Sequence, residues 1–271
     1  MKKIKIFLAL LGVGFIFYLF STQILRFSIS VNETFITNST IPNTFDGARI
    51  IQFSDLLIEN KRDLRVLKNA VDSINRLNPE IVVFTGNLFK EGVNPNNFND
   101  EVIELLTQID ASLGKIAILG QFDLMNSEAM TQLLTNASFN VLRNNSIELF
   151  NGAFEGITFI GIDSLVSNPN INSFLSMYSH SDKFDILLIS EPSLASMTLN
   201  HPVELQLSGY CRGVSLSIDT VDNRYCKQFS NGTYHFANQL LLNVNRGLNR
   251  PKHPFTFLNR PTIDSFLLMT Q

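Results

Sequence analysis

The stretch Ile50-Ile51-Gln52-Phe53-Ser54-Asp55-Leu56-Leu57 sets the reading of the whole chain. A short apolar run rich in β-branched residues stops abruptly at a small and an acidic side chain, and the pattern then recurs. Ile81 to Phe84 stops at Thr85-Gly86-Asn87, and Ile116 to Leu119 stops at Gly120-Gln121. Further on, Ile186 to Ile189 stops at Ser190-Glu191, and Val203 to Leu207 stops at Ser208-Gly209. Near-continuous apolar runs of this length read as strands buried on both faces, which is the signature of an α/β architecture.

Between these strands the apolar period changes to that of a helix. Leu64, Leu67, Val71, Ile74 and Leu77 share one helical face, and Asn78-Pro79 closes that segment. Val102, Leu105, Leu106, Ile109 and Leu113 form a second stripe, opened by Asp100 and stopped by Gly114. Ser127 is expected to cap a third helix, with Met130, Leu133, Leu134 and Ala137 inward. Helices thin out in the last third, where Thr158–Gly161, Leu240–Val244, Phe255–Leu258 and Thr262–Leu268 read as strands between turns. They point to a second sheet, more antiparallel than the first.

Composition narrows the function classes. The 271 residues carry a formal net charge of −3, and Lys2, Lys3 and Lys5 at the extreme N-terminus account for every basic residue before Arg26. No acid precedes Glu33, so the remainder is more acidic still, which argues against nucleic acid as a partner. Two cysteines exclude a disulfide-dense scaffold and a four-cysteine zinc site. The 29 scattered asparagines read as compositional drift, not as a functional tract.

In open α/β sheets functional groups sit just beyond the carboxyl ends of the strands, so the five clusters are where chemistry is expected. In order and spacing, the cluster at Gln52 to Leu57, Phe84-Thr85-Gly86-Asn87, Leu119-Gly120-Gln121-Phe122-Asp123, Leu188-Ile189-Ser190-Glu191-Pro192 and Leu207-Ser208-Gly209-Tyr210-Cys211-Arg212-Gly213 resemble the signature blocks of the calcineurin-like metallophosphoesterases. Pro42 to Ile50, behind a leading strand at Phe27 to Ile36, is similar to the membrane-anchored bacterial subgroup. The resemblance spans about residues 27 to 268. It implies an α/β fold of two mixed β-sheets packed as a sandwich flanked by helices, and a two-metal hydrolase.

The signature blocks of that family read Ser-Asp-Xaa-His, Thr-Gly-Asp, Gly-Asn-His-Asp, Ser-His and Gly-His-Xaa-His. Carried onto this chain, they retain Asp55 but put Leu57, Asn87, Gln121, Glu191, Tyr210 and Arg212 at the other ligand positions. The catalytic histidine position is Phe122, and Asp123 is left with the task of orienting its neighbours. A neutral Asn87 cannot bridge two cations, Phe122 supplies no general acid or base, and Arg212 is permanently charged. None of the four histidines, at 180, 201, 235 and 253, falls in a cluster.

The resemblance with these substitutions implies a pseudo-phosphoesterase without catalysis or cofactor, acting as a binding or scaffold module. The alternative is an active phosphoesterase whose altered site, built from Asp55, Asn87, Gln121 and Glu191, takes one divalent ion (Mn, Fe or Zn). Arg212 is expected to replace the cation as the salt-bridge partner of Asp55, with room for Glu191 to join, and Leu57, Phe122 and Tyr210 to fill the vacated volume. Cys211 and Cys226 either form a disulfide, if the domain is exported, or stay as thiols.

The N-terminus completes the organisation. Ile6 to Phe20 is an unbroken apolar run behind the three lysines, and Ile6 to Leu25 is long enough for about 30 Å of helix. No small-Xaa-small cleavage site follows Phe20, so residues 1–25 are expected to be a transmembrane anchor, with a cleaved signal peptide as the alternative. The expected arrangement is a single-pass protein of the cell membrane, with a leading strand and linker at 26–46 and an extracytoplasmic domain at 47–271.

Overall fold

The structure is a computed structural model that describes residues 10–16, 18, 28–212, 223–237, 240–248 and 260–271. Two six-stranded sheets dominate it. The first contains β1 (Ser30–Thr37), β2 (Arg49–Phe53), β3 (Ile81–Phe84), β4 (Gly114–Ile118), β5 (Phe139–Leu142) and β12 (Thr262–Met269), in the order β1-β12-β2-β3-β4-β5. The second contains β6 (Asn145–Phe150), β7 (Gly156–Gly161), β8 (Asp185–Leu188), β9 (Leu205–Ser208), β10 (Gly232–His235) and β11 (Leu241–Val244), in the order β10-β11-β9-β8-β7-β6.

From β2 to β5 every neighbour is parallel, whereas β12 pairs antiparallel with β2 and β1 runs parallel to β12. In the second sheet β11, β9, β8 and β7 are parallel, with antiparallel β10 and β6 at the edges. The second sheet is thus the more antiparallel of the two, as the turn-rich last third suggested. All five clusters leave the carboxyl ends of parallel strands.

The layers follow from side-chain alternation. Ile50, Phe159, Leu188, Leu207, Leu241 and Phe266 belong to one buried cluster between the sheets. The opposite face of the first sheet (Ile51, Phe53, Val82, Phe84) packs on the helices α1 (Lys61–Asn75), α2 (Asn99–Thr107) and α3 (Ser127–Asn136). Ile160, Leu187 and Ile189 on the outer face of the second sheet meet α4 (Ile171–Tyr178) and the one-turn helix α5 (Ala195–Thr198). A last turn of helix, α6 (Asn223–Cys226), precedes β10.

Helix α1 is opened by a capping box. The Asn60 side chain accepts the Arg62 N–H at 2.9 Å, and the Asp63 carboxylate accepts the Asn60 N–H at 3.0 Å. Helix α2 is shorter than its apolar stripe predicts. The Asn75 side chain accepts the Asp110 N–H at 3.0 Å and donates to the Gln108 carbonyl at 2.7 Å, drawing residues 108–110 out of the helix. Gly114 therefore opens β4 instead of stopping α2. Ser127 is the first residue of α3, not its cap, because a 3-10 turn at Asp123–Asn126 leads straight into it. Strands β5 and β6 and helix α4 were not read from the sequence, and the expected strand Phe255–Leu258 lies outside the described residues.

Two expectations about the N-terminal third change. Strand β1, assigned to a leading segment ahead of the domain, pairs with β12 along its whole length, Ser30 with Thr262 through Thr37 with Met269. The membrane-crossing segment is corrected. Among the described residues no helix is long and apolar enough to cross a membrane. The unbroken described part, Leu10–Ile16, gives about 10 Å of helix against the ~30 Å of a bilayer core. The rest of Ile6 to Leu25 lies outside the described residues. The single-pass, extracytoplasmic placement loses its footing with that span.

At the amino ends of β8 and β9, away from the clusters, sits a second acidic feature. Asp185 is buried, and its Oδ2 accepts the His180 N–H at 2.5 Å with His180 Nδ1 3.4 Å away. Glu204 Oε2 accepts the Asp185 N–H at 2.8 Å. Burial pushes the Glu204 carboxyl from its ordinary 4.5 up to about 7, and the charge of Asp185 adds to the rise. A folded-state pKa above the unfolded one means stability that is full below about 4.5 and lost as pH climbs through about 7. Urea unfolding of Glu204→Gln should accordingly show a flatter stability profile between about pH 5 and about pH 8 than the native chain, which weakens across that window.

Candidate functional site

Asp55 follows β2 and is enclosed, with 1% of its surface exposed. Its carboxylate is met from three strand ends. Asn87 Nδ2, after β3, donates to Oδ1 at 2.9 Å. Ser54 Oγ donates to Oδ2 at 2.7 Å, and the Tyr210 N–H, after β9, donates to the same oxygen at 2.8 Å. Burial raises the Asp55 pKa; the Ser54 hydroxyl, the Asn87 amide, the Arg212 charge and the Tyr210 N–H pull the other way. The charge of Arg212 is thus one of several influences on the Asp55 carboxyl.

The orientation of the Asn87 amide is fixed from behind. Its Oδ1 accepts the Phe122 N–H at 3.2 Å, so the NH2 end faces Asp55. Asp123 holds the scaffold beneath: it accepts the Asn87 N–H at 2.6 Å, the Leu88 N–H at 2.9 Å and the Gly120 N–H at 2.9 Å. Burial lifts its carboxyl to about 6 against those three bonds, and the charge of Asp55 adds to the lift. This is the orienting role expected of Asp123. Gly120 must lack a side chain here, because a Cβ would lie 2.4 Å from Asn87 Oδ1.

Glu191, after β8, is buried, and its carboxylate accepts the Ser164 hydroxyl and, at 3.2 Å, the Leu165 N–H. Burial raises its pKa, and the charge of Asp55 contributes in the same direction, which places the two carboxyls in electrostatic reach of each other. Gln121 Oε1 accepts the Tyr210 hydroxyl at 2.9 Å. Leu57 and Tyr210, expected with Phe122 to be enclosed at the site, are buried. Phe122 departs from that expectation. It is half-buried and lines, with Phe89, Val93, Met125 and Met130, a partly open pocket of about 340 Å³.

The backbone around the cluster is bent to deliver these contacts. Asp55 (φ 50), Leu57 (φ 46), Asn87 (φ 63), Tyr210 (φ 68) and Arg212 (φ 51) are all left-handed non-glycine residues. Each such residue costs about 1–2 kcal/mol. Gly209 lies against Asp55 so closely that a Cβ would stand 2.8 Å from Oδ2.

A relative from Bacillus subtilis (strain 168), described as uncharacterized metallophosphoesterase YkuE, is 34% identical over 251 residues, 89% of this chain and 85% of its own. The chain belongs to the metallophosphoesterase family. No protein-family profile matches the sequence. Among solved structures, TT1561 of Thermus thermophilus is 12% identical at a TM-score of 0.50, covering 74% of this chain and 90% of that one. The Haemophilus influenzae NAD nucleotidase is 11% identical at 0.51, covering 74% and 45%. At those identities the likeness concerns the fold, and the two-sheet sandwich is that of the calcineurin-like phosphoesterases.

A metallophosphoesterase of the usual kind holds two cations with carboxylates and imidazoles. The residues present do not fit such a centre. Among the described residues no group of three or more His, Cys, Asp and Glu is placed to hold a metal ion. Both oxygens of Asp55 already accept protein donors, and Asn87 turns hydrogens, not lone pairs, toward the place a bridging ligand would serve. His180 and His201 lie in the connections leading into β8 and β9, and His235 pairs with the first residue of β11. All three are therefore at the amino ends of the strands, away from the clusters, and His253 lies outside the described residues.

Sequence reading missed a sixth cluster. Asn245, directly after β11, accepts the Gly247 N–H at 2.8 Å, lies 3.0 Å from Ser54 Oγ and donates to Asp264 at 2.8 Å. Ser164, after β7, was missed as well. Both obey the rule that identified the other clusters, a small polar residue at the carboxyl end of a parallel strand.

Removing the Asp123 carboxylate leaves three buried backbone N–H groups without an acceptor. Asp123→Ala should therefore lower the unfolding free energy by about 3 kcal/mol or more in urea titrations, beyond the effect of a surface Asp→Ala control.

Proposed function

We propose that this metallophosphoesterase homologue is a non-catalytic pseudo-phosphoesterase, a binding or scaffold module whose strand-end cleft is closed by a hydrogen-bond network instead of a dinuclear metal centre. The observation that carries the reading is the Asn87 amide. Its oxygen is committed to the Phe122 N–H, so its NH2 group donates to Asp55. A bridging ligand has to present an anionic oxygen to two cations at once; this position presents two hydrogens.

The neighbours support the same reading. Phe122 offers no titratable group at the place where the fold family puts a general acid or base. Burial raises the pKa of the Asp55 carboxyl, and the charge of Arg212 is one of the influences that pull against that rise. Tyr210 and Gln121 satisfy one another through the phenol hydroxyl.

The test is direct. Purified chain dialysed against manganese should carry less than about 0.1 equivalent of bound metal by elemental analysis, given a site with a fixed positive charge and no bridging anion. Its turnover of bis-p-nitrophenyl phosphate should be indistinguishable from that of Asp55→Ala. Manganese-dependent turnover abolished in Asp55→Ala would establish an active enzyme and discard the proposal.

A further inference from the structure

We propose that strand β1 is a self-association edge: the chain forms a two-fold dimer in which β1 of one copy pairs antiparallel with β1 of a second, centred on Thr34. The inference rests on the fold alone and holds whether or not the protein is catalytic.

Strand β1 ends the first sheet, with β12 on one side and, among the described residues, no strand on the other. The hydrogen bonds fix which groups face the open side. Ser30 donates its N–H to the Pro261 carbonyl at 2.8 Å and Asn38 donates to the Met269 carbonyl at 3.2 Å, so the even-numbered residues are the ones bound to β12. In a parallel ladder the alternate residues turn their N–H and C=O the other way. Val31, Glu33, Phe35 and Thr37 therefore line the open edge with main-chain donors and acceptors.

Natural sheets guard such an edge with proline, lysine, a bulge or a very short strand. Strand β1 has none of these. Its register with β12 is unbroken over the 8 residues Ser30–Thr37, against 4, 6 and 4 residues in the other edge strands β5, β6 and β10. Val31, Thr34, Phe35, Ile36 and Thr37 are of the types that favour extended pairing. Val31 and Phe35, 42% and 60% exposed, point to the same side of the sheet, and Met269, the register partner of Thr37, is 41% exposed beside them.

The symmetry of the edge says what covers it. Two identical edges satisfy one another about a two-fold axis when the strands run antiparallel. With Thr34 on the axis, Val31 lies opposite Thr37 of the second copy and Glu33 opposite Phe35. Every outward N–H of each copy then reaches a carbonyl of the other. The single charge of the strand does not oppose this arrangement, because Glu33 is paired with Arg49 of its own copy and faces a phenylalanine ring instead of a second carboxylate. The two Phe35 rings lie diagonal to one another, within reach of contact.

Cys211 and Cys226 are joined in a disulfide, the first of the two outcomes the sequence left open, and no free thiol remains, so an introduced cysteine reports alone. Oxidation of full-length Thr34→Cys should give a covalent dimer on non-reducing gels, because facing residues on the axis bring their Cα atoms to about 4.5 Å, inside disulfide range. Thr37→Cys, about 20 Å from its counterpart in this register, should not cross-link. In sedimentation equilibrium the native chain should dimerise. Phe35→Glu, which sets a carboxylate opposite Glu33 on both sides of the axis, should weaken the dimer about tenfold or more, whereas Phe35→Lys, which sets an opposite charge there, should keep it. A native chain that sediments as a monomer up to about 100 μM overturns the proposal. So does a dimer that Phe35→Glu leaves unchanged. Cross-linking of Thr34→Cys no faster than of Thr37→Cys overturns it as well, and is the result expected if the edge serves a strand of another protein.

Discussion

A carboxylate shut away from water must be met by donors or by cations, and the strand-end architecture of this protein is organised around that requirement at Asp55. The donors come from three places in the sequence, Ser54, Asn87 and Tyr210. No single strand end could supply them, so β2, β3 and β9, drawn from two different sheets, have to finish at the same point. The bent, left-handed backbones at Asp55, Asn87 and Tyr210 are the local cost of that convergence. An unmatched buried carboxylate costs several kcal/mol, more than the strain of any one bent residue.

The same logic extends inward between the sheets. On the inner face of β2 the apolar Ile50 is followed two residues on by Gln52, and Leu241 on β11 by Asn243. Gln52 accepts from Asn243 at 2.9 Å and donates to the Ser208 carbonyl at 2.9 Å, which ties the first sheet to the second. Asp264, paired with Gln52 across β12 and β2, accepts from Asn32, Asn243 and Asn245 at 2.9, 2.7 and 2.8 Å. The sandwich is oily in its middle and amide-lined toward the cleft. Its two sheets are clamped by side chains that need no metal.

The order of the clusters and the alternation of strands and helices were legible because apolar runs buried on both faces leave a simple pattern, and strand ends are punctuated by Ser, Gly and Asn. Asp55, Asn87, Glu191 and Tyr210 were found by that rule and do come together. What escaped was set by partners distant in sequence. The asparagines looked like drift, yet Asn32, Asn87, Asn243 and Asn245 carry the buried network, and nothing local separates them from the solvent-facing ones. Strand β6 has no fully buried residue and shows no apolar run to read. The early end of α2 depends on the Asn75 side chain, 33 residues upstream of Gln108. The N-terminal apolar run illustrates the opposite error, in which composition alone suggested more continuous helix than the described residues carry.

The Asn87 amide also constrains the order in which this site could ever change. A lone Asn87→Asp step would set one carboxylate against another at hydrogen-bond distance. Like charges at that separation are tolerated only when a proton or a cation lies between them. Asn87 and Asp55 share a hydrogen bond, so changes at the two positions should couple rather than add.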